Sequence, residues 1–185
     1  MTAERKHLHS RCITCEAYLC EDGSVELEGM LTDTKSHPFN VGDQGVLPTG
    51  HPVHQMLVRL RVASDFRITE AEARTIHGPY RVCGDIAPQY SKLVGLTIGP
   101  GFNALVKRMF RERLGCTHLT ELLPVIATVA YQAIWSEFRS FEKFDPANAA
   151  ERRSTPLGGC HALQPDGEVV RLHFPDRYKP PDPSA

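Results

Sequence analysis

Ser24 to Lys35 reads SVELEGMLTDTK. Val25, Leu27, Gly29 and Leu31 fall on one side of an extended chain, and Glu26, Glu28 and Met30 on the other. A period of two with apolar residues on one side is the signature of a half-buried β-strand. His54 to Ala63 repeats it, setting Met56, Val58, Leu60 and Val62 against Leu57, Arg59 and Arg61. The stretch between them, Ser36 to Pro52, is broken by Pro and Gly and reads as a loop. Ser64-Asp65 turns the chain. Phe66, Ile68 and Ala71 or Ala73 then continue as a hairpin partner, with a helix as the alternative for Thr69 to Ile76.

After His77-Gly78-Pro79 the period changes. Ile86 to Val94 fits a short helix with Pro88 in its first turn. Gly95 to Gly101 is a glycine-rich connector. Phe102, Leu105, Val106, Met109 and Phe110 recur as on a helix running to Leu114, with Gly115 as its cap. A longer helix starts at Thr117 or Thr120 and carries Leu119, Leu122, Leu123, Ile126, Ala130, Ala133, Ile134, Phe138 and Phe141 on one face. Pro124 must lie near its first turn or kink it. Asp145-Pro146 ends that helix and 146–158 is a linker. Gln164 to Phe174 reads as a final hairpin about Pro165-Asp166-Gly167. The expectation is an α+β fold: an antiparallel β-meander, then packed helices, then a C-terminal β-hairpin. One domain spans 1–178, followed by a proline-rich disordered tail at 179–185.

Composition narrows the function. The chain has 185 residues, 41% of them hydrophobic and 23% charged, so it can bury a core without disulfides or a structural metal. Lys plus Arg number 21 and Asp plus Glu 22, a net charge of −1, which argues against nucleic-acid binding. The start, MTAERKHLHSRC, has no apolar core of a secretory signal. No stretch approaches the roughly 20 apolar residues of a membrane span. The expected location is the cytoplasm, where six cysteines are thiols or metal ligands rather than disulfides.

The chemistry-bearing residues are Asp33 in LTDTK, His51 and His54 in HPVH, Cys83 in CGD, Cys116 and His118 in GCTH, Glu121 just beyond, and Cys160-His161. Thiolates and imidazoles are the usual ligands of zinc and iron, and catalytic sites gather them from several elements. Cys116 stands at a helix start, where unpaired amides favour a thiolate, and His118 two residues on is a proton acceptor. A buried cysteine is also an ordinary small core residue. His7, His9, Cys12 and Cys15, with Cys20 nearby, form a second cluster with a Cys-x-x-Cys spacing. Gly99 and Gly101, ahead of the Phe102 helix, sketch an anion-binding loop, although no GK[ST] follows.

The segments HLHSR, EDGSVELEGMLTDTK, HPVHQMLVRL, IAPQYSKLVGLTIGPGF, GCTHLTELL, YQAI and CHALQPDGEVVRLHFP, in this order from residue 7 to about 178, resemble the bacterial domain of unknown function 2889 family. The resemblance implies one full-length domain and supplies no reaction. By motif it points to Asp33, Lys35, His54, Cys83, Gly99, Gly101, Cys116, Thr117, His118, Gln132, Cys160 and His161. A second similarity is to iron–sulfur cluster scaffold proteins, through Cys83-Gly84-Asp85, Gly115-Cys116 and Cys160-His161. The stretch between Cys83 and Cys116 departs from that pattern by reading as helix.

The resulting expectation is a site holding a transition metal, zinc or iron, through His54, Cys83, Cys116, His118, Cys160 and His161. Cys116 and His118 would act as nucleophile and base, with Asp33 and Lys35 orienting a small organic acid or acyl substrate. Gly99 and Gly101 are the cofactor-loop candidates. The alternatives are a metal or iron–sulfur carrier without turnover and an accessory subunit with structural cysteines. A small-molecule ligand is expected, without nucleic acid or membrane; the oligomeric state is left open.

Overall fold

The structure is a computed structural model and describes residues 4–138 and 157–181. The chain divides into two compact units, Met1–Phe141 and Glu142–Ala185.

The first unit is built on a four-stranded antiparallel sheet in the order β1-β2-β5-β6. Its strands are β1 (His9–Leu19), β2 (Val25–Lys35), β5 (Pro52–Val62) and β6 (Ile68–His77). The alternation read from SVELEGMLTDTK holds along β2 as far as Asp33: Val25, Leu27, Gly29, Leu31 and Asp33 are buried, and the residues between them are half-buried. Ile68 to His77 is a strand throughout, which settles the ambiguity at Thr69 to Ile76. The loop between β2 and β5 contains a small ribbon of its own, β3 (Phe39–Val41) paired with β4 (Gly45–Leu47).

Helix α1 (Phe102–Met109) and helix α2 (Thr117–Phe138) follow the meander. Helix α2 packs on β1, β2 and β5. Leu119, Leu122, Leu123, Ile126, Ala130 and Ile134 are buried along it, at the spacing read from the sequence. Gly29 permits the close approach, because a Cβ there would stand 2.7 Å from Cδ1 of Ile126.

Two local expectations, the end of α1 and its cap, are corrected. Helix α1 ends at Met109, and a separate 3-10 turn covers Glu112–Leu114. Gly115 is needed for space, since a Cβ there would lie 2.5 Å from the Phe110 carbonyl oxygen. Pro124 lies inside α2, beyond its first turn. The expected end of that helix at Asp145-Pro146, its residue Phe141 and most of the linker lie outside the described residues.

The second unit corrects the C-terminal hairpin. Glu168–His173 is a helix, α3, and His161–Leu163 is a 3-10 turn, so Val169 and Leu172 have no partner strand among the described residues. Glu168 in the first turn and Arg171 and His173 in the last complement the helix dipole. Glu168 and Arg171 also pair at 3.5 Å across one turn. Only Val170 is buried, a demand that six residues of helix meet as well as a strand would.

Candidate metal centre

Strand register assembles the site. Arg11 on β1 lies opposite Asp33 on β2, and Asp33 lies opposite His54 on β5. Directly opposed residues share a face. These three side chains therefore form one row across three strands, on the face that α2 covers. Asp33 continues the inward series of β2, and His54 continues the Met56–Val62 series of β5. A register shift follows Asp33 on β2. His118, in the first turn of α2, comes down onto the row.

Asp33 is the centre, with only 1% of its surface exposed. Its Oδ1 accepts from Arg11 Nε at 2.8 Å and faces His9 Nε2 at 3.2 Å. Its Oδ2 accepts from Arg11 Nη2 at 2.8 Å. The same oxygen faces His54 Nδ1 at 3.2 Å and His118 Nε2 at 3.5 Å. Arg11 thus holds the carboxylate bidentately, and its remaining Nη1 pairs with Glu121 of α2. The His54 and His118 rings stack, with centroids 3.8 Å apart and planes at 25°.

Protonation follows from these neighbours. Burial of Asp33 opposes its charge, but the Arg11 hydrogen bonds and charge, with His54 and His9, outweigh that and hold its pKa at about 2. Burial lowers the pKa of His54, against the pull of Asp33. Burial also lowers that of His118, helped by His54 and Arg11. The centre is a carboxylate with two imidazoles biased to the neutral form, the form that offers lone pairs to a metal.

Asp33, His54 and His118 each offer one ligand atom, all within 4.8 Å of one another. Two imidazoles and a carboxylate suit zinc or iron, with positions left for water or substrate. The donor set therefore fits a metal by residue type, protonation and spacing.

The other expected residues are not among these three donors, although Cys116 adjoins them. Cys116 precedes α2 and its carbonyl accepts the Thr120 N–H; its Sγ lies 3.9 Å from His118 Nδ1. Lys35 follows Asp33 on β2, but its Nζ sits 5.1 Å over the Phe39 ring. Cys83 lies in the 3-10 turn Arg81–Gly84, where its carbonyl accepts from Thr75 Oγ1. Cys160 and His161 belong to the second unit, where Cys160 is exposed and precedes the turn His161–Leu163. Gly101 takes a positive φ of 86° before α1, and the Phe102 amide is already bonded to the Gly99 carbonyl, so the loop closes on itself. The N-terminal cluster is split by strand alternation. Cys15 turns to the core, where burial lifts its pKa to about 11, while Cys12 is exposed on the opposite face.

The residues missed from sequence are Arg11 and the role of His9. The signal was the same period-two parity, which places Arg11 with Cys15 and Ala17 on the face of β1 that meets α2.

The family model for DUF2889, described as a protein of unknown function, matches residues 9–132. The chain belongs to the DUF2889 family. The match begins at the first residue of β1 and ends within α2, so Arg11, Asp33, His54, Cys116, His118 and Glu121 are all DUF2889 positions. Cys160 and His161 fall beyond it. No curated protein and no solved structure matches the chain. No helix of the described residues is long and apolar enough to cross a membrane.

Proposed function

We propose that this DUF2889 protein binds one transition metal ion, zinc or iron, through Asp33, His54 and His118, and works on a small organic acid or acyl compound in the cytoplasm. The observation that carries this reading is the convergence of those three donor atoms within 4.8 Å. An ion held there supplies a Lewis acid that polarises a carbonyl or activates water. Arg11 holds the carboxylate through both oxygens, and Glu121 balances the Arg11 charge. With both imidazoles neutral, Asp33, Arg11 and Glu121 leave one net negative charge to meet a cation. A carrier that holds the ion without turnover uses the same ligands.

Elemental analysis of anaerobically purified, untagged protein tests the proposal. The expected result is about one zinc or iron per chain, lost in His118→Ala and in His54→Ala with the thermal transition of the apoprotein retained. An ion-free chain that also fails to take up Zn²⁺ in calorimetry overturns it.

One observation favours a second reading. Cys116 Sγ, His118 Nδ1, His118 Nε2 and Asp33 Oδ2 lie in series, with the outer distances 3.9 and 3.5 Å. In that reading the Cys116 thiol adds to an acyl carbonyl as His118 takes its proton, the leaving group departs with that proton to leave a thioester that water then hydrolyses, and Asp33 orients the imidazole. Iodoacetamide should then label Cys116 ahead of the exposed Cys12 and Cys160, and His118→Ala should slow that labelling. Labelling that follows exposure alone removes this reading.

A further inference from the structure

Beside the centre, between the end of α1 and the start of α2, lies an open pocket of about 380 Å³. Its volume is within the range of small-molecule sites. Lys107 and Arg111 line one wall, Thr117, Thr120 and Glu121 the other, with Phe110 and Pro124 contributing apolar surface. Neither Lys107 nor Arg111 is in an ion pair among the described residues. Two cations beside an apolar surface match a carboxylate carried on an apolar body.

The pocket is tied to the centre by shared parts. Glu121 lines it and also holds Arg11, which clamps Asp33. Thr117 and Thr120 flank His118 on the same helix turn. Glu112, on the rim, is held at a φ of 52°. A non-glycine residue keeps that left-handed conformation only where its surroundings enforce it, and such positions gather at functional sites.

We infer that this pocket is the substrate subsite of the centre, and that it takes a small monocarboxylic acid with an apolar body, the carboxylate set between Lys107 and Arg111. Glu112 and Glu121, which also line the pocket, disfavour a second negative charge on the ligand. The role as a substrate subsite rests on the metal reading; the binding of the acid does not, because no pocket residue is one of the three ligands.

Nuclear magnetic resonance titration tests it with benzoate and hexanoate as probes and benzamide as the neutral control. The full chain is used, metal-free and Zn²⁺-loaded. The expected result is a set of amide shifts confined to residues around Phe110, Thr117, Thr120 and Glu121, given by either acid and not by benzamide. Lys107→Ala combined with Arg111→Ala should weaken binding at least tenfold, and Lys107→Gln alone should weaken it in the same direction. Both positions are exposed, so an unchanged thermal transition is expected as the folding control. No shifts with either acid, equal shifts with benzamide, or unchanged binding in the double variant would overturn the inference. Acid binding to a chain that takes up no Zn²⁺ upholds the pocket and sinks the metal reading. Zn²⁺ uptake without acid binding does the reverse.

Discussion

His54 and His118 come from a strand and a helix 64 residues apart, yet their rings stack at 3.8 Å and both face the same oxygen of Asp33. Stacked imidazoles repel when both are protonated. Sharing one acceptor is therefore stable only while at least one ring is neutral. The arrangement suits two neutral donors converging on one point beside a carboxylate.

The first prediction concerns acid stability of the apoprotein. His54 and His118 have pKa values pushed below their ordinary 6.5, so the unfolded chain takes up protons first. Stability is complete above about pH 6.5 and declines as pH falls from there towards the folded values. Asp33 is held at about 2 against an ordinary 3.8, so its contribution is present above 3.8 and is lost as pH falls towards 2. Urea midpoints measured from pH 8 to pH 2 should fall in two stages. His54→Gln with His118→Gln should flatten the upper stage and Asp33→Asn the lower. An upper stage that survives the double histidine variant would mean that other groups cause it.

A second prediction isolates the Arg11 clamp. Asp33→Ala removes the acceptor of both Arg11 hydrogen bonds and leaves the guanidinium facing an emptied site. Charge-assisted bonds of this kind contribute roughly 1.5–3 kcal/mol, so a loss of about 2 kcal/mol in denaturant titration is expected. Arg11→Lys should recover only part of the wild-type value in its own background, because an ammonium cannot hold both oxygens. Full stability in Arg11→Lys would show that the bidentate geometry contributes nothing.

Much of this site was legible in the sequence. Asp33 and His54 are both among the residues expected from sequence, His54 as a ligand but Asp33 as a group that orients substrate, and each sits in phase with the apolar series of its strand. His118 is legible as the imidazole two residues beyond Cys116, the residue that marks the helix start. What could not be read was the register that sets residue 11 against residue 33 and residue 33 against residue 54. Register depends on turn lengths and on the polar strand β1, whose exposed edge position removes the apolar signal that marks β2 and β5. Cys83 and Cys160 drew attention by residue type alone, and residue type carries no distance. The C-terminal hairpin failed for a related reason: Val169, Val170 and Leu172 satisfy a short helix as readily as a strand, and six residues are too few for periodicity to decide.

Helix docking gives a third prediction. Gly29 leaves room for Ile126, and a Cβ there would meet Cδ1 at 2.7 Å and Cγ1 at 2.8 Å. Gly29→Ala should therefore overpack the interface and cost about 1–3 kcal/mol. Ile126→Ala in the same chain should remove the clash and make the pair of changes less than additive. Strict additivity in denaturant titrations would show that the backbone gives way instead of the side chain.

The last prediction tests what holds the start of α2, and with it His118, in place. Tyr90 is fully buried, and its ring stacks on Phe110 at 4.2 Å. Its hydroxyl donates to the Cys116 carbonyl at 2.9 Å, accepts the Cys116 N–H at 3.0 Å and meets Thr120 Oγ1 at 2.7 Å. One oxygen thus satisfies three groups around the helix start. Tyr90→Phe keeps the stack and deletes that oxygen, leaving the Cys116 amide and carbonyl without it. A loss of about 1–3 kcal/mol is expected. Because His118 is two residues from Cys116, its imidazole resonances should shift and Zn²⁺ affinity should fall, while His54, anchored in β5, should shift less. Thr120→Val removes only one of the three partners and should cost less than Tyr90→Phe. Equal losses in the two variants would place the stabilising contact at Thr120 rather than at the Cys116 backbone.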